Sequence, residues 1–164
     1  MKKIGIVMGS ANDLPTVEKA VAVLDEFQVP YEVHVLSAHR SPVEAAAFAG
    51  GARENGFGAI IAAAGMAAHL AGAVAANTTL PVIGIPLTSK ALDGMDALLS
   101  TVMMPPGIPV ATVAIDGAKN AALLAIQIIA LGDEELTAKL EANREEGKQA
   151  SLAKNAEVEA QFNK

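Results

Sequence analysis

The chain has 164 residues, 52 % of them apolar but only 3 % aromatic, and 34 alanines supply most of the apolar count. A formal charge of −6 speaks against nucleic acid or an anionic membrane as a main partner, since both demand a basic face. The absence of cysteine excludes disulfides, iron–sulfur clusters and thiolate zinc sites.

This length suits a single domain with a proper core. The positive mean hydropathy and the small side chains point to apolar surface hidden between copies of the chain, so a homo-oligomer is expected. The opening Met1-Lys2-Lys3 and the apolar Ile4-Gly5-Ile6-Val7-Met8-Gly9 resemble a signal peptide only superficially, because the run ends at once in polar Ser10, Asn12 and Asp13. No segment reaches the roughly 18 uninterrupted apolar residues that a membrane span requires. A cytoplasmic location is the expectation.

In chain order, residues 3–8 read as a buried strand and 13–27 as an amphipathic helix. Residues 31–36 form a second strand, followed by a helix over 42–55. A third strand at 59–63 precedes an alanine-rich helix at 69–77. A fourth strand at 81–85 leads through a loop to a helix around 95–103. A fifth strand at 109–115 precedes a strongly apolar helix at 118–131. Repeated strand–helix alternation implies parallel pairing with right-handed crossovers. The expected fold is α/β, a three-layer doubly wound parallel sheet of about five strands, flavodoxin-like in plan.

Residues 132–164 differ in kind, holding 13 of the 30 charged residues with sparse apolar positions at Leu136, Leu140, Leu152, Val158 and Phe162. They read equally as a solvated helix with a frayed end or as a helical arm that docks on a neighbouring subunit. The whole is taken as one domain, with a core of about 1–131 and a C-terminal helical extension.

In an open parallel sheet, ligands bind beyond the carboxyl ends of the strands. After the first strand comes Gly9-Ser10-Ala11-Asn12-Asp13-Leu14-Pro15, where Asn12 or Asp13 can cap the next helix. Its free N–H groups and the Ser10 hydroxyl suit a phosphate, although an ordinary capped turn would look the same. After the second strand, Ser37-Ala38-His39-Arg40-Ser41-Pro42 supplies a histidine that exchanges protons near neutrality and an arginine able to clamp an anion. Ser41 is the expected N-cap and Pro42 the first helical residue. After the third strand, Ala64-Gly65-Met66-Ala67-Ala68-His69-Leu70 lets a ligand approach the backbone closely. His69 there reads as structural or functional. His34, mid-strand, reads as structural. The three histidines lack the spacing and carboxylate company of a metal site. The stretch Met103-Met104-Pro105-Pro106-Gly107-Ile108-Pro109 reads as a rigid connector or as an apolar wall over a planar ring.

These segments, in this order, resemble the class I 5-(carboxyamino)imidazole ribonucleotide mutase family. The stretches that carry the resemblance are Met8-Gly9-Ser10 with Asp13, Ser37-Ala38-His39-Arg40 and Ala67-Ala68-His69-Leu70. Pro81-Val82-Ile83-Gly84-Ile85-Pro86, Met104-Pro105 with Gly107-Ile108-Pro109-Val110, and Asn120-Ala121-Ala122-Leu123-Leu124-Ala125 complete them. The resemblance implies an octamer of doubly wound subunits that uses no metal or other cofactor. The implied reaction converts N5-carboxyaminoimidazole ribonucleotide to 4-carboxy-5-aminoimidazole ribonucleotide in purine biosynthesis. It also implies that His39 is the catalytic histidine and His69 a second active-site histidine. Ser10, Asp13 and Arg40 match substrate-binding residues, and Ser37 and Ala38 line the same pocket. Gly65 begins the small-residue loop for the carboxylate, and Asn12 stands where the family commonly has serine. Met66, Ala71 and Pro106 are further departures, Met66 falling where a second glycine is common.

The implied chemistry suits these residues. An electron-rich aminoimidazole can lose carbon dioxide from nitrogen and take it back at the ring carbon, with one histidine giving and then taking a proton. Two other classes share the sheet: a binding or regulatory domain without chemistry, and the related class II carboxylase, which uses free carbon dioxide.

Overall fold

The structure is a computed structural model that describes residues 1–163. Five strands, β1 (Lys3–Met8), β2 (Tyr31–Val35), β3 (Phe57–Gly65), β4 (Val82–Leu87) and β5 (Ala111–Thr112), pair in the order β2-β1-β3-β4-β5. Every pairing is parallel. The helices are α1 (Leu14–Glu26), α2 (Pro42–Gly51), α3 (Leu70–Ala75), α4 (Met95–Val102), α5 (Ala118–Ala130) and α6 (Glu134–Phe162). The expected doubly wound, flavodoxin-like α/β sheet with a C-terminal helix is therefore present.

Its logic is that of buried parallel strands. β1, β3 and β4 are covered on both faces, so their side chains are apolar along almost the whole run rather than alternating. Ile60, Ile61, Ile83 and Ile85 are essentially solvent-free, and burial of each such side chain contributes about 1.5–3 kcal/mol. Right-handed crossovers place α2, α3 and α4 on one face of the sheet and α1 and α5 on the other. The strand glycines agree: Gly5 faces Phe48 of α2, Gly84 faces Thr101 of α4, and Gly58 faces Ile129 of α5. On α1, Val17, Ala20, Val23 and Leu24 form the buried stripe.

Boundaries moved where glycine, asparagine or proline intervened. α2 stops at Gly51 rather than at 55, at the pair Gly50-Gly51, and the Gly51 carbonyl accepts both the Asn55 N–H at 3.1 Å and Asn55 Nδ2 at 2.9 Å. α3 likewise stops at Ala75 rather than 77, with Asn77 Nδ2 on the Ala73 carbonyl at 2.8 Å. β5 is reduced from the expected seven residues to a two-residue ladder. The Gly84 and Pro86 carbonyls both face this edge, accepting from Val113 N–H at 3.1 Å and Asp116 N–H at 2.9 Å. Pro86 has no N–H to return, so regular pairing ends beside it.

By packing, the chain separates into two compact units, residues 1–129 and 130–164. In the second, Asp133 caps α6 by accepting the Leu136 N–H at 3.0 Å. The helix then runs for 29 residues with most of its side chains exposed.

The tightest fit between sheet and helix is at Gly84. A Cβ there would stand 2.4 Å from Thr101 Cγ2, 3.1 Å from Val110 Cγ1 and 3.3 Å from Ala71 Cβ. Thr101 cannot rotate away freely, because it is buried with its hydroxyl on the Ala97 carbonyl at 2.7 Å. Gly84→Ala is expected to cost about 1–3 kcal/mol in denaturant unfolding. Adding Thr101→Ser, which deletes the clashing methyl, should recover part of that loss. Strict additivity of the two changes would show that the clash is relieved elsewhere.

Candidate active site

A cavity of about 640 Å³ opens at the carboxyl ends of β1, β2, β3 and β4. The strand order reverses direction between β1 and β3, and such a switch point is where an open α/β sheet leaves a crevice. β1 and β3 stay joined to its floor, with Gly9 N–H donating to the Ala63 carbonyl at 3.2 Å.

From β1 come Gly9, Ser10 and Asp13. Asn12 and Asp13 belong to a short 3-10 turn, Ala11–Asp13, that precedes α1. Ser10 N–H donates to Asp13 Oδ2 at 3.0 Å, and Ser10 Oγ accepts from Asn12 N–H at 3.2 Å. This reciprocal cap fixes both cavity residues with local bonds alone. Burial pushes the Asp13 carboxyl above its ordinary value, while the Ser10 N–H and the Arg40 charge pull against that shift. Asn12, a sequence candidate, is exposed and does not line the cavity.

From β2 come Ser37, Ala38, His39 and Arg40. Ser37 Oγ accepts from His39 N–H at 3.3 Å and Arg40 N–H at 3.2 Å, closing the turn that presents both side chains. Ser41 occupies the N-cap position of α2 but directs its hydroxyl to Ser37, accepting that residue's N–H at 2.9 Å. The expected capping role is thus replaced by a brace on the functional turn. Arg40 Nη2 reaches across to the Gly9 carbonyl at 2.7 Å and ties the β2 loop to the β1 loop.

From β3 come Ala64, Gly65, Met66, Ala67, His69 and Leu70. His39 and His69, 30 positions apart in sequence, meet with ring centroids 5.6 Å apart and planes inclined at 59°. Both residues line the cavity. Met66 takes a φ of +55°, a left-handed conformation that favours glycine, and the residue is 64 % exposed. The backbone here therefore keeps the shape a glycine would give, with a flexible thioether at the cavity's rim.

Two features were missed from sequence. Leu87, which ends β4, and Thr88, Ser89, Lys90 and Ala91, which follow it, form the fourth wall of the cavity. The signal was present, since three polar residues stand directly after a strand. By contrast, residues 103–109 do not line the cavity. They lead into β5 instead of leaving a strand, so they belong to the opposite, amino-terminal edge of the sheet. The second is Ser100 of α4, whose Oγ accepts the Ala68 N–H at 3.0 Å and donates to the Asp96 carbonyl at 2.7 Å, holding the turn before His69. No local pattern could reveal a partner 32 residues away. His34 lies outside the cavity, bonded to Glu32 Oε2 at 3.2 Å and packed on Phe48 with centroids 4.8 Å apart. Among the described residues, no group of three or more histidine, aspartate or glutamate side chains could hold a metal ion.

Comparison with known proteins adds an independent line. The curated N5-carboxyaminoimidazole ribonucleotide mutase of Pyrococcus abyssi is 56 % identical over 148 residues, covering 90 % of this chain and 85 % of its own. That of Bacillus subtilis is 56 % identical over 151 residues, covering 91 % and 93 %. A crystal structure of Treponema denticola PurE superimposes with a TM-score of 0.83 at 28 % identity, covering 98 % of both chains. The model of the AIR carboxylase family matches residues 3–150. The chain belongs to the AIR carboxylase family.

Proposed function

We propose that this chain is an N5-carboxyaminoimidazole ribonucleotide mutase, an isomerase of purine biosynthesis. The observation that carries the reading is the meeting of His39 and His69 beside Arg40, Ser10 and Asp13 in one cavity. Relatives of that name, more than half identical over nine-tenths of the chain, support it.

In the proposed mechanism, Arg40, Ser10 and Asp13 hold the phosphoribosyl group and supply remote binding energy for orientation. His39 gives a proton to the exocyclic nitrogen as its bond to the carboxylate carbon breaks, releasing carbon dioxide within the site. The Gly65 loop offers small side chains against which that molecule is retained. The ring carbon then attacks carbon dioxide, forming the new carbon–carbon bond, and its proton passes to His39. Substrate and product are isomers, so neither oxidant nor external carboxyl donor is consumed. His69 orients His39 and the carboxylate from the facing loop. Ser37 and Ala38 shape the wall between them.

We further propose a homo-oligomer, most simply an octamer, in which residues 1–164 form one domain located in the cytoplasm. The exposed apolar side chains of Leu92, Met95, Leu99, Val102 and Met103 support self-association. The family match running from residue 3 to 150 without a break supports the single domain.

Purified protein is expected to turn over N5-carboxyaminoimidazole ribonucleotide without added bicarbonate, ATP or metal. His39→Asn should lower kcat by about 10²–10⁴ with little change in KM. Near-normal turnover by that variant would refute the histidine assignment. Carboxylation of aminoimidazole ribonucleotide, seen only under added carbon dioxide, would instead assign the carboxylase reaction.

Asp13 provides a test of the electrostatics. A carboxyl held above its ordinary value binds its proton more tightly in the folded chain than in the unfolded one. It therefore contributes stability in acid that is lost as pH rises through its folded-state value. Asp13→Asn, uncharged throughout, should gain in Tm relative to wild type on going from acid buffer to neutrality. A Tm difference that does not change with pH would contradict the burial of this carboxylate.

A further inference from the structure

The loop after β4 brings into the cavity a cation to which the mechanism above gives no role. Among the described lining residues, Asp13 is the only carboxylate, against the two cations Arg40 and Lys90. The cavity wall is thus net positive in a chain whose overall charge is −6. Arg40 is already committed on the β2 side, to the Gly9 carbonyl at 2.7 Å and to the field of Asp13. Lys90 has no hydrogen bond or ion pair among the described residues.

Lys90 nevertheless sits on a fixed segment. Thr88 N–H donates to Asp116 Oδ1 at 3.0 Å, and Ser89 Oγ lies 3.1 Å from both Asp96 carboxylate oxygens. Asp116 and Asp96 are therefore engaged by Lys90's neighbours, and no ion pair joins Lys90 to Asp93 three residues on among the described residues, which leaves its ammonium group for a ligand. β2 and β4 are separated by three strand steps, or about 14 Å at the usual spacing. Arg40 and Lys90 thus come from opposite ends of the crevice.

Resting on the mutase reading, we propose that Lys90 is a substrate-binding residue that recognises the migrating carboxylate, while Arg40 serves the phosphate. A carboxylated aminoimidazole ribonucleotide carries two anionic groups at its two ends, and the cavity offers one cation toward each. Lys90 selects carboxylated ligands over the same nucleotide without its carboxylate. The ammonium is a compact charge on a flexible stem, suited to following a carboxylate that changes its point of attachment by one ring position.

The test is calorimetric titration of the wild type and Lys90→Gln with two ligands, 4-carboxy-5-aminoimidazole ribonucleotide and aminoimidazole ribonucleotide. The expected result is a Kd about ten- to a hundredfold weaker for the carboxylated ligand, with binding of the other unchanged. Lys90→Arg should keep most of the affinity, because the cation is retained. Equal loss for both ligands would place Lys90 at the phosphate and overturn the proposal, and so would loss for neither. If the wild type bound neither ligand, the mutase reading itself would fall, an outcome distinct from a silent Lys90→Gln in an otherwise competent protein.

Discussion

Right-handedness of parallel crossovers is the constraint on which the site depends. From β1 the chain crosses to β2 on one side, and from β3 it crosses to β4 on the other, so α1 and α3 cover opposite faces. Between the two departing chains nothing can cover the strand ends, although β1 and β3 remain hydrogen-bonded up to Gly9 and Ala63. The crevice is a by-product of winding, and every residue given a chemical role ends or follows one of the strands at its rim. Arg40 ties the β2 loop to the β1 loop on one side of it, bonding Gly9 while extending from β2.

Loops that carry function are ordinarily the mobile part of a fold. Here they are braced by side-chain-to-backbone bonds, each worth about 1 kcal/mol net. Ser10 and Asp13 cap each other's turn, Ser37 and Ser41 lock the segment that bears His39 and Arg40, and Asp116 holds Thr88. α4 braces two walls from the outside, through Ser100 to the turn before His69 and through Asp96 to Ser89. Its approach depends on Gly84, since a methyl at that point would collide with Thr101. A small residue in the sheet thus governs where α4 lies, and α4 in turn governs two loops of the cavity.

The relation to Treponema denticola PurE shows how such a fold tolerates change. With 28 % identity, the two chains still superimpose at a TM-score of 0.83. A buried parallel strand needs only apolar residues of suitable volume, so most positions can exchange within that class. Loops are more demanding. Met66 illustrates this: it carries a side chain in a left-handed turn at φ +55°, a conformation that favours glycine. The turn is held on its far side by Ser100 and by the Ala68 N–H to Met66 carbonyl bond at 2.9 Å, which fixes this backbone conformation.

What the amino-acid sequence determined by itself is whatever local periodicity and local capping can carry. The apolar runs of β1, β3 and β4, the buried stripe of α1, and the alternation that dictates parallel winding are all properties of short segments. So are the turns that place Ser10, Asp13, His39 and Arg40 directly after strands. The length of β5 was not local, because it depends on Pro86 in the neighbouring strand having no N–H to share. Nor was the role of Ser41, whose hydroxyl serves Ser37 rather than α2, or the exclusion of Asn12 and of residues 103–109 from the cavity wall. The 5.6 Å approach of His39 to His69, the brace from Ser100, and the entry of Lys90 into the wall join residues tens of positions apart. Only the packing of helices onto a closed strand order sets such distances, and no single stretch of sequence encodes them.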